Sequence, residues 1–284
     1  MPKIAFVTDT DCSLPEDIAA RYHIQQVPIT VQFGEESYLT GVNIDDTALF
    51  ERVDRENKLP STAAPSPGQF LEAYEKALAG GADSILCFTV SSAVSATYNN
   101  AVNAQQLLPA RDITVVDTQS LSLGQGFMVM AAAEAAQQGA SKKDCLARAQ
   151  DVGQRTQLYA ALATLKYLAM SGRVGSIAAG MASLLSIKPL LTIQDGKLEL
   201  LERIRTQKKA WQRAIELTKQ AADGKPIERM GIVHVAAPQA AKDFEQQLRA
   251  NLNCPADVLV NDLTPGLSVH TGTGLVGVAF VAGK

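Results

Sequence analysis

Short apolar runs rich in β-formers alternate with amphipathic stretches through the first half of the chain, and that alternation predicts strands and helices in turn. Strands are expected at residues 4–7, 26–33, 84–90 and 113–116, and helices at 15–22, 45–54, 67–79, 92–108 and 122–138. Asp45 stands where a cap belongs, and Ser66-Pro67 opens its helix because proline suits a first turn. Strands alternating with helices imply a mainly parallel sheet covered on both faces. The hairpin-like stretch 27–39 is compatible with packing on either half.

The pattern changes after residue 155. An amphipathic helix is expected at 141–157, a strand at 159–164 and a short helix at 166–171. Residues 190–204 read as a hairpin, since Asp195-Gly196 supplies the turn. A long helix at 206–222 is followed by strands at 230–235, 257–261 and 276–281, with a helix at 239–251. The fold class is therefore α/β and two-lobed: a mainly parallel α/β lobe over 1–155 and an α+β lobe over 156–284. No internal repeat or low-complexity tract is visible.

A chain of 284 residues, 46% hydrophobic and 19% charged, has the composition of a soluble globular protein large enough for two lobes. A net charge of −3 and 5% aromatics argue against a nucleic-acid partner. The cysteines Cys12, Cys87, Cys145 and Cys254 form no C-x-x-C pair and read as free thiols. No signal peptide precedes the first strand, and residues 174–187 are too short and polar to span a bilayer, so a cytoplasmic location is expected. Three scattered histidines give a zinc site little to build on, and no metal or cofactor is expected.

The chemistry concentrates at Ser91-Ser92, where the third strand gives way to a helical pattern. Free N–H groups and the dipole at a helix start suit an anion there, and a plain N-cap fits the same residues. Asp9-Thr-Asp11 after the first strand resembles the start of a haloacid-dehalogenase-type phosphatase, an alternative enzyme reading that needs magnesium and later acidic residues such as Asp262. Gly272-Thr-Gly274-Leu-Val-Gly277 fits G-x-G-x-x-G but runs into a strand, the wrong order for a dinucleotide site. No G-x-S-x-G elbow and no phosphate-binding P-loop occur.

An ordered set of segments carries a resemblance over nearly the whole chain. It comprises Thr8-Asp9-Thr10-Asp11-Cys12-Ser13, Pro60-Ser61-Thr62-Ala63, Ser91-Ser92 with Tyr98, Asp117-Thr118-Gln119-Ser120, Ser171-Gly172-Arg173 and His270-Thr271-Gly272-Thr273-Gly274. In this set the chain resembles the DegV family of bacterial lipid-binding proteins, some of which are the acyl-binding subunit of fatty acid kinase. The resemblance implies a protein that is not an enzyme alone. It would bind a long-chain fatty acid in an apolar tunnel between the two lobes and present its carboxyl group to a separate kinase subunit, with transient contact to a membrane surface. It implies carboxylate donors at Thr62, Ser92 and His270, flanked by Ser61 and Ser91, with Gly272 and Gly274 letting the backbone approach the head group. Taken singly, Thr62 is equally a turn residue and His270 equally a satisfied core histidine. Arg173 stands for contact with the head group or a partner. Arg203 and Arg205, with Lys208 and Lys209, fit a docking patch or an ordinary solvated face. Ile177, Met181, Leu184, Leu185 and Ile187 fit an acyl tunnel or an ordinary buried helix.

Overall fold

The computed structural model describes residues 3–173 and 187–284. The first half runs β1 (Ile4–Asp9), α1 (Glu16–Arg21), β2 (Ile24–Val27), β3 (Thr30–Phe33), β4 (Glu36–Leu39), α2 (Asp46–Glu56), β5 (Ser61–Ala63) and α3 (Pro67–Ala79). It continues through β6 (Ser84–Thr89), α4 (Thr97–Gln106), β7 (Asp112–Asp117), α5 (Ser122–Gln137) and α6 (Lys142–Arg155). The second half has β8 (Thr156–Ala161), α7 (Lys166–Ser171), β9 (Lys188–Gln194), β10 (Lys197–Ile204) and α8 (Gln207–Ala222). It ends with β11 (Ile227–His234), α9 (Pro238–Asn251), β12 (Val258–Asp262), α10 (Pro265–Thr271) and β13 (Val276–Ala282).

Strands β2-β1-β6-β7 form a sheet that is parallel throughout. Strands β10-β9-β8-β13-β11-β12 form a mixed sheet in which only β11 and β12 run parallel. Side chains on a strand point alternately to its two faces, and both sheets use this to bury both faces. Phe6, Leu86 and Phe88 join the central core, while Val7, Ile85 and Cys87 pack under α3 and α4. On the mixed sheet Leu158, Ala160 and Val233 face the central core, and Tyr159, Ile232 and Phe280 face α8 and α9.

The central layer is α5, with α6 beside it. From Ser122 to Ala133 every residue is buried, and all but Gln125 are apolar or small, as a helix buried on every side requires. Close packing is achieved with glycine. A Cβ on Gly126 would lie 2.8 Å from the Cys12 carbonyl, and one on Gly231 would lie 2.3 Å from Leu123. The result is five layers, helices–sheet–α5–sheet–helices.

The observed elements correct several expectations. The strand expected over 26–33 is broken at Pro28-Ile29, because proline cannot donate to a ladder. Its second part pairs instead in a small antiparallel sheet, β4-β3-β5. The helix expected from 92 begins only at Thr97, since Ser91 O accepts from Val94 and Ser95 N–H in a preceding turn. Neither Ser91 nor Ser92 is therefore an N-cap. Two elements were missed: β5, three residues long between Pro60 and Pro65, and α10. The latter carries the signal of proline at its first turn and Gly272 past its end.

Candidate functional site

A cavity of about 540 Å³ opens in the central layer beside the start of α5. That volume lies within the range of small-molecule sites. Its wall draws on residues from both halves, including strands of the mixed sheet and of the small antiparallel sheet. Leu158 and Ala160 come from β8, Leu191 from β9, Leu198 from β10 and Val233 from β11. Ile29, Val90 and Leu121 enter from the first half, and Leu267 from α10. The lining is mostly apolar, with a small set of polar groups.

Two of the expected donors meet there. Thr62 lies on β5, held opposite Val31 of β3. His270 is the sixth residue of the seven-residue α10, four after Gly266. Thr62 Oγ1 and His270 Nε2 are 3.1 Å apart, and both residues line the cavity. Burial, then the Arg173 charge, lowers the His270 pKa to about 4, so the ring is neutral at neutral pH. A neutral ring protonated on Nε2 donates to Thr62, which turns the threonine proton outward toward a ligand. The other ring nitrogen, Nδ1, is buried without a hydrogen-bond partner.

The remaining candidates divide. Ser92 lines the cavity, but its Oγ donates to Asp117 Oδ2 at 2.5 Å and its N–H to Asp117 Oδ1 at 3.2 Å. Arg173 is exposed, lines the same cavity and donates to the Ser171 carbonyl. Ser91 is buried away from the wall, its hydroxyl bonded to the Gly196 carbonyl at the tip of the β9–β10 hairpin. Ser61 is exposed, one residue from Thr62, so its side chain takes the opposite face of β5. Arg203 and Arg205 stand exposed at the end of β10 and outside the cavity wall. Ile187 is half-buried against the central core, also outside the wall. Ile177, Met181, Leu184 and Leu185 lie outside the described residues.

Gly272 and Gly274 serve packing rather than a head group. A Cβ on Gly272 would sit 2.1 Å from the Tyr167 ring, and one on Gly274 would sit 3.3 Å from Ala163 Cβ. The G-x-G-x-x-G stretch runs from the end of α10 into β13, helix before strand.

Asp9 is an organising group at the sheet end. Its carboxylate accepts from Asp11 N–H at 3.0 Å, Val90 N–H at 2.8 Å and Gln125 Nε2 at 3.1 Å. Those bonds tie β1, β6 and α5 together, and burial still raises its pKa to about 6. Asn261, beside Asp262, donates to the Ser13 carbonyl. Among the described residues no group of three or more His, Cys, Asp or Glu side chains converges as metal ligands would. The magnesium-phosphatase reading thus finds no support. The cavity also holds residues that sequence reasoning did not assign to it. Among them are Asp11, which the sequence places in a motif and offers as a metal ligand but not as a cavity residue, and Ser122 and Asn99, which no local pattern marks.

The model of the DegV family, described as uncharacterised proteins, matches residues 3–283. A DegV domain-containing protein of Streptomyces coelicolor is 34% identical over 275 residues, covering 97% of each chain. A fatty-acid-binding DegV family protein of Thermus thermophilus superposes with a TM-score of 0.92 at 33% identity, over 99% of both chains. DegV of Bacillus subtilis, a fatty acid binding protein, superposes with a TM-score of 0.89 at 28% identity over the whole of both.

Proposed function

This chain belongs to the DegV family, and on that premise we propose that it binds a long-chain fatty acid in the central cavity with the carboxylate against Thr62 and His270. The observation that carries this reading is the pairing of the Thr62 hydroxyl with a neutral His270 in the wall of a mostly apolar cavity of about 540 Å³. A buried carboxylate needs donors, and the alkyl chain needs a dry wall. Transfer of about fourteen methylenes at ~0.8 kcal/mol each gives on the order of 11 kcal/mol gross, before ordering costs. The tail then dominates affinity and the donors fix its direction. The fatty-acid-binding descriptions of the Thermus and Bacillus relatives support the same reading.

The finer part of the proposal is presentation to a separate kinase subunit. The exposed Arg173 beside His270 favours a carboxyl near the surface, where the γ-phosphoryl group of ATP would pass to a carboxylate oxygen and leave ADP. Arg203 and Arg205 would form part of the docking face for that subunit or for an anionic membrane.

Denaturing the purified protein, extracting it with organic solvent and identifying lipids by mass spectrometry tests the binding claim. A near-stoichiometric fatty acid is expected. A protein that comes empty and takes up no added palmitic acid would sink the claim. Incubation with a fatty acid kinase catalytic subunit and ATP, trapping acyl phosphate as a hydroxamate, tests presentation. Trapped product from the loaded protein is expected, and none with a kinase active on its own cognate binding protein would refute it.

A further inference from the structure

Two polar groups in the cavity wall are left over once the carboxylate has been placed. Asp11 is 5% exposed and Ser122 is 1% exposed, and both line the cavity. No hydrogen bond reaches Asp11 Oδ1 or Ser122 Oγ, although buried polar groups are as a rule paired. The position of the aspartate is well defined. A Cβ on Gly266 would sit 2.4 Å from Asp11 Oδ1 and 3.0 Å from Ile29, so the glycine makes room for the carboxyl. Gly266 precedes His270 by four residues on α10, a rise of roughly 6 Å. Asp11 thus lies against α10 one helical turn before His270, and Ser122 opens α5, so both come from other parts of the wall than Thr62 and His270.

We infer that Asp11 and Ser122 form a second polar station in the cavity that takes a hydroxyl carried along the acyl chain, so that the preferred ligand class is hydroxylated long-chain fatty acids. This rests on the fatty-acid reading above. Burial and the neighbouring Asp9 hold the Asp11 carboxyl well above the usual carboxylate range, which favours its protonated form, and a carboxylic acid both donates and accepts. The serine hydroxyl does the same. An aliphatic alcohol matches such a pair, since it too gives one proton and accepts another. A plain methylene at that place leaves both groups unpaired in an apolar wall, which is unfavourable. A charged amine fits poorly, because the station is enclosed and its acid is protonated.

Displacement of a fluorescent fatty acid by stearic acid, and by stearic acids hydroxylated near the carboxyl end, at mid-chain and near the methyl end, tests the inference. At least one hydroxylated isomer is expected to bind about tenfold tighter than stearic acid, the effect of one hydrogen bond made to an otherwise unpaired buried group. Asp11→Leu and Ser122→Ala should each bring that ratio toward one. Should Asp11→Leu fail to fold, Ser122→Ala carries the test alone, because it removes a single unbonded oxygen. Stearic acid binding as tightly as every isomer would overturn the station, as would a preference that survives Ser122→Ala, while leaving fatty-acid binding intact. Failure of all four acids to displace the probe would overturn both.

Discussion

Replacing Thr62 by valine removes one oxygen from the cavity and little else. Valine keeps the β-branched shape that suits β5, so the strand and its pairing with Val31 should survive. What disappears is the hydroxyl 3.1 Å from His270 Nε2. On the proposed placement that hydroxyl donates to the bound carboxylate, and hydrogen bonds to charged groups contribute roughly 1.5–3 kcal/mol. The affinity for palmitic acid should fall by about tenfold to a hundredfold. The tail contribution is untouched, so binding should weaken without vanishing.

Calorimetric titration with palmitic acid and with hexadecanol separates head from tail. The alcohol carries no charge, and its loss should be several-fold smaller than the acid's. The histidine supplies a second check. If its Nε2 proton orients the threonine hydroxyl, His270→Ala and Thr62→Val remove one shared unit. The double variant should then lose less than the sum of the two single losses. Wild-type affinity for palmitic acid in Thr62→Val, or strictly additive losses, would refute the placement of the carboxylate.

Three further outcomes follow from the same coordinates. The His270 imidazole, with its pKa lowered to about 4 by burial and Arg173, should titrate near that value by NMR without ligand and move upward when a carboxylate binds. Because the unfolded ring titrates near 6.5, this site should lose stability as pH falls from about 6.5 toward 4. Asp46 behaves oppositely: burial raises its pKa from 3.8 to about 7 even though Ser268 donates to it at 2.5 Å. Its contribution is present below pH ~4 and lost as pH rises through about 7, so Asp46→Asn should stabilise the protein in urea at pH 8 by up to about 4 kcal/mol and have little effect at pH 4; equal effects at both pH values would contradict this. Gly272→Ala places a methyl at φ +78° on top of the Tyr167 ring, which packs edge-on to Phe50, and should lower the melting temperature by several degrees.

Much of the layered fold was legible because it follows from periodicity. The runs that became β1, β6 and β7 are apolar on both faces, as a doubly covered parallel sheet demands. The almost wholly apolar or small first three turns of α5 show in its sequence as well. The misses are elements whose existence depends on partners. β5 has three residues and no pattern of its own, and it becomes a strand only because β3 stands beside it. The chain after Ser91 is a turn rather than helix because Ser91 bonds the hairpin tip at Gly196, 105 residues away. The candidate site shows the same division. Thr62 and His270 were identified through a resemblance in motif order, and they do meet. Asp11 and Ser122 entered the cavity through Gly266 and the start of α5, contacts that no local pattern encodes.

The two donors stand on the least self-sufficient parts of the molecule. β5 is an edge strand of three residues, and α10 is a helix of seven, shorter than an isolated helix could sustain in water. They lie 208 residues apart in sequence and are brought together through β3, which pairs with β5 and packs on α10. The apolar wall, by contrast, takes Leu158 and Ala160 from β8, Leu191 from β9, Leu198 from β10 and Val233 from β11, and the rest from β5, α7, α10 and the connecting segments. On the proposed placement, a ligand with a long tail and a charged head lays part of its tail on that sheet. The part that supplies direction sits on short elements whose geometry depends on their neighbours. Substitutions that loosen the packing of α10, Gly272→Ala among them, act on the head-group donors first and on the tail wall last.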